Sequence, residues 1–204
     1  MKRSILVLLL INFSNSSYCQ NIDIELLRSI NLHRNTQLDP TFRFITNTAS
    51  PVSFGAPVII YGIGLIQKNP ELKTKGLYIG ASLMTASILA TSTKYIVNRD
   101  RPFVTYPDIQ KETNAGSPSF PSGHTSVAFS NATSLSIAFP RWYVIVPSYL
   151  WASAVAYSRI DLGVHYPSDV LGGMIIGSGS AILCNYLNEC LQKKTSGKVI
   201  LDFY

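Results

Sequence analysis

Long stretches without charged residues divide this chain, and the segments between them hold every Lys, Arg, Asp and Glu. A membrane-spanning helix needs about 20 mostly apolar residues, within a range of roughly 17 to 25. Five charge-free stretches, of 24, 18, 28, 17 and 19 residues, are long enough for one span each. The pattern predicts an all-α, polytopic membrane helical bundle with about five transmembrane helices. The stretches are residues 44–67, 76–93, 113–140, 142–158 and 170–188.

A soluble bundle of helices that are apolar on all sides would also contain charge-free stretches. Ser, Thr and Asn interrupt several of the five, which favours this alternative. Five such gaps in only 204 residues favour a membrane protein. The charged fraction of 14% is also low beside the roughly 25% of soluble domains. A hydrophobic fraction of 47% excludes intrinsic disorder, and three cysteines are too few for a disulfide framework.

Residues 1–19 have the features of a cleaved secretory signal peptide. Lys2 and Arg3 are followed by a short apolar region, and Ser17 and Cys19 are small residues placed for cleavage before Gln20. The alternatives are a retained segment, which would make six helices, or a lipid-modified Cys19. The apolar run is short for a span, so we predict cleavage after Cys19.

The remaining chain is predicted as one membrane domain, residues 44–190. An amphipathic approach segment on the outer face, residues 20–43, precedes it, and a C-terminal tail, residues 191–204, follows. Isoleucines and leucines in the approach segment mix alternating and helical spacing, and we expect a helix at the outer leaflet.

An exported N-terminus determines which loops share a side, because each span reverses the direction of the chain. Residues 94–124 and 159–169 then lie on the outer face, and Lys73 and Arg141 lie inside, in agreement with the positive-inside rule. The outer segments hold eight Lys and Arg of their own, so the orientation depends mainly on the signal peptide. We predict a multi-pass protein of a bacterial-type plasma membrane, with these loops facing the periplasm or exterior.

The first outer loop contains two cations and a helix start. Lys94 and Arg101 are seven residues apart, which places both on one helix face, although cations that snorkel to headgroups give the same pattern. Ser122 and Gly123 precede an apolar run, where the free N–H groups of a helix N-terminus suit a phosphate, and His124 follows them. A simple capping turn is the alternative for this segment.

The second outer loop pairs a histidine with an acid. Asp169 follows Pro167 at a predicted helix start, from which its carboxylate can reach back to His165. Arg159 adds a third cation to the outer face. Three cations, two histidines, one carboxylate and a helix N-terminus suit a dianionic phosphate. Because cations dominate, a metal site fits poorly, and we expect neither metal nor cofactor.

Three segments resemble the signature of the type 2 phosphatidic acid phosphatase (PAP2) superfamily, which also includes vanadium haloperoxidases. Eleven signature residues occur in order and at the family's internal spacings, between residues 94 and 169. The helical layout from about residue 38 to residue 187 is compatible with the family. The segments read Lys94-x6-Arg101-Pro102, Pro121-Ser122-Gly123-His124 and Ser158-Arg159-x5-His165-x3-Asp169.

The resemblance implies a role for each of these polar residues. His165 is implied as the nucleophile that forms a phosphohistidine, Asp169 as the group that orients it, and His124 as the acid that protonates the leaving oxygen. The residues implied to hold the phosphoryl oxygens are Lys94, Arg101, Arg159, Ser122 and the N–H of Gly123.

We therefore expect a membrane phosphatase that acts on anionic lipid phosphates or diphosphates at the outer face of the plasma membrane. The net charge of +6 suits such lipids. It does not suggest nucleic acid, because the Lys and Arg residues are divided between two sides of a membrane. The sequence predicts neither the particular lipid nor the oligomeric state.

Two other functions are compatible with parts of this pattern. A vanadate-dependent haloperoxidase would use the same anion cradle, but proteins of that type resemble larger soluble chains. A non-catalytic membrane scaffold would be expected to lose a residue such as His124, His165 or Asp169, and all three are present.

Overall fold

The computed structural model describes residues 16–195, with side chains described from residue 22 to residue 190. Within that range the chain forms eight α-helices and one short 3₁₀-helix, and no strand, so the predicted all-helical fold is confirmed. Most of the predicted signal peptide (residues 1–15) and the end of the tail (residues 196–204) lie outside the described residues. The elements are α1 (Ser16–Asn31), the 3₁₀-helix (Thr36–Leu38), α2 (Asp39–Asn47), α3 (Ala49–Ile66), α4 (Pro70–Val97), α5 (Pro102–Thr105), α6 (Gly123–Ala138), α7 (Trp142–Asp161) and α8 (Pro167–Thr195).

Helix α6 is the centre of the bundle. It packs against α3, α4, α7 and α8, and 11 of its 16 residues are buried. Its buried face carries small residues such as Ser126 and Ser130, which let α8 approach closely. On the facing side of α8, a Cβ at Gly173 would lie only 2.7 Å from the carbonyl oxygen of Ser122. This close packing connects the start of α6 to the start of α8.

Helix α4 crosses the whole bundle, because its 28 residues span about 42 Å. Asn69 caps its first turn, accepting hydrogen bonds from two backbone N–H groups at 2.9 and 3.2 Å. Asn98 ends the helix in a left-handed conformation, with a φ of 47°, and donates its N–H to the Lys94 carbonyl at 2.8 Å. The prediction that Lys94 and Arg101 share one helix face is therefore wrong. Arg101 lies in the loop beyond the helix.

Two charge-free stretches do not correspond to single helices. Residues 44–67 divide at Thr48 between α2 and α3. Residues 113–140 become helical only at Gly123, because Pro118 and Pro121 lie in the preceding loop and disfavour helix in the residues before them. This loop, residues 106–122, lies at the same end of the bundle as the C-terminal end of α4.

The approach segment contains α1 from residue 20 onward, and this helix is docked on the loops at this end. Ile24 and Leu27 are buried in a cluster with Ile109 and Tyr166. Asn31, fully buried, donates to the backbone carbonyls of Gln110 at 3.0 Å and of Asp161 at 2.8 Å. The predicted helix is present in this segment, and its location at the outer leaflet stays a prediction.

The exterior of the bundle is strongly apolar. Large side chains such as Ile59, Ile88 and Ile175 are 62%, 59% and 65% exposed, on α3, α4 and α8. A soluble bundle avoids so much exposed apolar surface, which favours membrane helices. Among the residues that the structure describes, two stretches, Thr36–Ile66 and Pro167–Cys190, are long and apolar enough to cross a bilayer. The predicted number of five spans stays a prediction.

Candidate active site

A cavity of about 380 Å³ lies at the end of the bundle where α4 ends and α6 and α8 begin. The fold brings to it residues that are up to 115 positions apart in the chain, Ser50 and His165. Six of the eight predicted site residues line it: Lys94, Arg101, Gly123, His124, Arg159 and His165. The other two, Ser122 and Asp169, are fully buried next to lining residues.

His165 is held in one orientation by partners on both ring nitrogens. Its Nδ1 lies 3.4 Å from Oδ2 of Asp169, and its Nε2 lies 3.2 Å from Nη1 of Arg101. Because an arginine only donates, Nε2 is the acceptor and the ring proton is on Nδ1. The lone pair that a nucleophile requires is therefore on Nε2, where it accepts the hydrogen bond from Arg101 in this structure.

His165 lies in the loop between α7 and α8 and is 1% exposed. Burial lowers the pKa of His165 to about 3; the hydrogen bond with Asp169 raises this pKa, but nearby Arg101 and Arg159 lower it. The imidazole is therefore neutral at physiological pH. Its contact with Asp169 is a hydrogen bond from a neutral ring and not an ion pair.

Asp169 accepts hydrogen bonds on both carboxylate oxygens. Oδ2 accepts from the Ser119 hydroxyl and, at 2.9 Å, from the backbone N–H of Tyr166. Oδ1 accepts from Arg99 Nη1 at 2.8 Å. Tyr166 and Asp169 flank Pro167, which starts α8, so the first turn of that helix shapes the contact with His165.

The three predicted cations are each anchored by backbone or hydroxyl oxygens. Lys94 Nζ donates to the Pro118 carbonyl at 2.6 Å. Arg101 donates to the carbonyls of Ser117 and Val164, both at 2.7 Å.

One hydrogen-bond donor of Arg159 has no partner among the described residues. Its Nη1 donates to the Thr46 hydroxyl at 2.7 Å, whereas its buried Nε has no partner among the described residues. A buried donor without a partner is costly, and a bound anion would satisfy it.

The start of α6 provides the remaining predicted groups. Ser122 occupies the N-cap position in extended conformation. Its hydroxyl accepts from the Thr125 hydroxyl at 2.9 Å, and its N–H donates to the Asp169 carbonyl at 2.9 Å. A Cβ at Gly123 would meet only Lys94 Cε, at 3.8 Å. The protein itself thus leaves space beside Gly123, and this space belongs to the cavity.

Several residues of the site were missed by the sequence analysis. Arg99 lies between the signature residues Lys94 and Arg101. A third cation so close to Arg101 was the feature from which its presence near the site could have been predicted. Thr46 and Ser119 gave no chemical signal of their own. The inner wall of the cavity also carries Ser50, Ser87 and Thr91, and the buried Ser87 hydroxyl has no partner among the described residues.

Taken together, these groups can bind and attack a phosphoryl group. Three cations and a helix N-terminus surround a cavity that has a neutral nucleophilic nitrogen on one wall and a second imidazole, His124, on another. Between residues 22 and 190, no group of three or more His, Cys, Asp or Glu side chains is placed to hold a metal ion.

Known proteins share both the sequence and the fold of this chain. The family model of the PAP2 superfamily matches residues 75–191. An undecaprenyl-diphosphatase of Sulfolobus acidocaldarius is 29% identical over 167 residues, which are 80% of this chain and 78% of that protein. The crystal structure of Aquifex aeolicus LpxE aligns with a TM-score of 0.72 and 29% identity, over 81% of this chain and 95% of that chain. A PAP2 type phosphatidylglycerolphosphate phosphatase from Bacillus subtilis aligns with a TM-score of 0.71 and 26% identity, over 91% and 94% of the two chains.

Proposed function

The chain belongs to the PAP2 superfamily and is a phosphate monoester or diphosphate hydrolase, and from this premise we propose that it dephosphorylates membrane lipids at the outer face of the plasma membrane through a phosphohistidine. The observation that carries the proposal is the environment of His165. A neutral, oriented imidazole faces a cavity lined by three cations and a second histidine. This arrangement suits nucleophilic attack on the phosphorus of a phosphoryl group whose oxygens carry two negative charges.

In the first step, Nε2 of His165 attacks phosphorus and forms the N–P bond. The P–O bond to the leaving group breaks, and its electron pair stays on the leaving oxygen. The dianionic phosphate favours the protonated form of His124, which supplies the proton that this oxygen takes up. Asp169 stabilises the positive charge that develops on the His165 ring. Lys94, Arg101 and the free Nε of Arg159 are the donors for the phosphoryl oxygens.

In the second step, a water molecule attacks the phosphohistidine. His124, now without its proton, accepts one from the water, the N–P bond breaks and its electron pair returns to Nε2 of His165. Inorganic phosphate leaves, and both histidines regain their starting protonation states.

A lipid substrate is supported by the position and size of the cavity. It lies at the helix ends, where a bilayer presents headgroups, and the surrounding exterior is apolar. The cavity volume of about 380 Å³ is that of about a dozen water molecules in the liquid. This is enough for a phosphate and the first atoms of its lipid. The Sulfolobus relative is an undecaprenyl-diphosphatase, so undecaprenyl diphosphate is the first substrate to test.

The detergent-solubilised protein should be incubated with undecaprenyl diphosphate, phosphatidic acid, phosphatidylglycerol phosphate and lipid A, and the released phosphate measured. We expect hydrolysis of at least one lipid, persisting in excess EDTA and inhibited by vanadate, because the groups around the cavity are cationic. Activity that EDTA abolishes and Mg²⁺ restores would contradict the metal-free mechanism. No release from any lipid would contradict the lipid substrate class.

The covalent step has its own test. After rapid acid-free quenching, a substrate labelled in the transferred phosphate should leave base-stable, acid-labile label on the wild-type protein and none on His165→Ala. His124→Ala, which keeps the nucleophile, is the matched control and should still be labelled. Label that persists in His165→Ala would exclude this residue as the nucleophile.

A further inference from the structure

Arg99 lies directly behind the catalytic pair without lining the cavity. It belongs to the loop between α4 and α5, and its Nη1 donates to Oδ1 of Asp169 at 2.8 Å and to the Ser168 hydroxyl at 2.7 Å. Its guanidinium carbon lies 3.8 Å from the centre of the Tyr166 ring. The side chain thus contacts three residues of the turn that carries Asp169.

Asp169 needs a cationic partner, and Arg99 is the cation that it contacts. The Asp169 side chain is fully buried, where an unpaired carboxylate is costly. His165 is neutral and cannot compensate this charge. Among the side chains that the structure describes, Arg99 is the one Lys or Arg that forms an ion pair with Asp169.

The other terminal nitrogen of the Arg99 guanidinium binds a carboxylate of the N-terminal helix. Nη2 of Arg99 lies 2.8 Å from Oδ2 of Asp23, a residue of α1 that is only 7% exposed. The other oxygen of Asp23 accepts the backbone N–H of Ser168 at 2.8 Å. One carboxylate from α1 therefore fixes both the guanidinium and the first turn of α8, at a separation of 145 residues along the chain.

We propose that Arg99 is a positioning residue of the active site, which holds Asp169 against His165, and that Asp23 of α1 fixes Arg99 in this role. The inference rests on the proposed function, because it assigns Arg99 to the support of the His165 nucleophile. It also makes α1 part of the catalytic unit, beyond a segment that approaches the membrane. Arginine is suited to this position because its planar fork bridges two carboxylates and stacks on Tyr166.

The test compares kcat, KM and the vanadate inhibition constant for undecaprenyl diphosphate, or for p-nitrophenyl phosphate if that lipid is not hydrolysed. Arg99→Gln should lower kcat about 10- to 100-fold, because the orientation of Asp169 matters as charge develops on His165. KM and the vanadate constant should change less than about twofold, because the phosphate contacts remain. Arg99→Lys keeps the charge but loses the fork, and its kcat should fall between those of wild type and Arg99→Gln.

Asp23 should act through Arg99. Asp23→Asn alone is expected to lower kcat several-fold, and the double variant with Arg99→Gln should be no slower than Arg99→Gln alone. The matched control is Arg28→Gln. Arg28 also joins α1 to a loop at this end of the bundle, residues 106–122, through an ion pair with Asp108 at 2.8 Å, but this pair is exposed and contacts neither Asp169 nor His165. It should stay within about twofold of wild type.

Three results would overturn the proposal. Arg99→Gln with wild-type kcat would remove its role, and parallel changes in kcat, KM and vanadate inhibition would indicate a general loss of the site. An equal loss in Arg28→Gln would assign the effect to the docking of α1. If Arg99→Gln does not fold, Arg99→Lys decides by the same criteria. His165→Ala is measured alongside: full activity there contradicts the proposed function, whereas an inactive His165→Ala beside an unaffected Arg99→Gln contradicts only the role of Arg99.

Discussion

At the scale of single residues, the two histidines of the cavity are expected to respond differently to the leaving group. General acid catalysis contributes about 10²- to 10⁴-fold, so His124→Ala should lose activity of that order on an alkyl lipid phosphate, whose leaving alkoxide is very basic. An aryl phosphate such as p-nitrophenyl phosphate releases a stable phenolate anion and should escape most of this loss. His165→Ala should be inactive on both, because no intermediate forms. Equal losses of kcat/KM in His124→Ala on the two substrates would remove it from the acid role.

The buried His165 also predicts a pH dependence of stability. In the unfolded chain its pKa returns to about 6.5, whereas in the folded protein burial holds the pKa at about 3. Between these values the unfolded chain binds a proton that the folded protein does not, so the free energy of unfolding falls as the pH is lowered. His165→Asn cannot bind this proton. Its melting temperature in detergent should therefore fall less than that of wild type between about pH 7 and about pH 4, and equal falls would contradict the burial argument.

At the scale of the elements, the contact between α6 and α8 sets the distance between the helix that carries His124 and the helix that carries Asp169. A Cβ at Gly177 would clash with the carbonyl oxygen of Ser126 and lie 2.9 Å from the Ser130 nitrogen. Gly177→Ala should force the helices apart, lower the free energy of unfolding by about 1–3 kcal/mol and reduce kcat. Thermal unfolding and phosphate release in detergent measure both effects.

Gly179 provides the control on the same helix. A Cβ there has no heavy atom within 4 Å, and the position is exposed. Gly179→Ala should leave activity unchanged, with equal or slightly greater stability, because alanine favours helix more than glycine does. Similar destabilisation by the two substitutions would show that helix propensity, and not the contact with α6, is responsible.

At the scale of the whole molecule, the two ends of the bundle differ in chemistry. Lys73 and Lys94 are 21 residues apart on α4, which separates them by about 32 Å. The active-site cavity lies at the Lys94 end, and Lys75 and Arg141 line a second cavity together, of about 520 Å³, near the other end. The positive-inside rule and the predicted signal peptide predict that this second end faces the cytoplasm.

The predicted orientation of the bundle determines which positions an impermeant thiol reagent should reach in intact spheroplasts. In a chain with its own cysteines replaced by alanine, Lys111→Cys on the outer loop should be labelled, and Gln67→Cys between α3 and α4 should be spared. Both positions are exposed on the protein, so access across the membrane is the difference measured. After permeabilisation both should react. Labelling of Gln67→Cys alone in intact cells would reverse the orientation.

The sequence by itself determined features that are encoded locally. Charge-free stretches predicted helices because a helix in an apolar environment satisfies its own backbone, and Pro167 with Asp169 marked the start of α8 because capping is a property of adjacent residues. The spacing of the signature residues identified the family and six of the residues that line the cavity.

Only the tertiary structure decided what depends on contacts between distant segments. It placed Arg101 in a loop, because Asn98 adopts a left-handed conformation that no spacing rule required. It also showed the partners of the catalytic groups: Arg159 with Thr46, 113 residues away, and Arg99 with Asp23, 76 residues away. Such pairs have no signal in a single sequence, because one hydroxyl or one carboxylate is common on any helix. Such a side chain acquires its role only when packing removes it from water and brings a specific partner within hydrogen-bond distance.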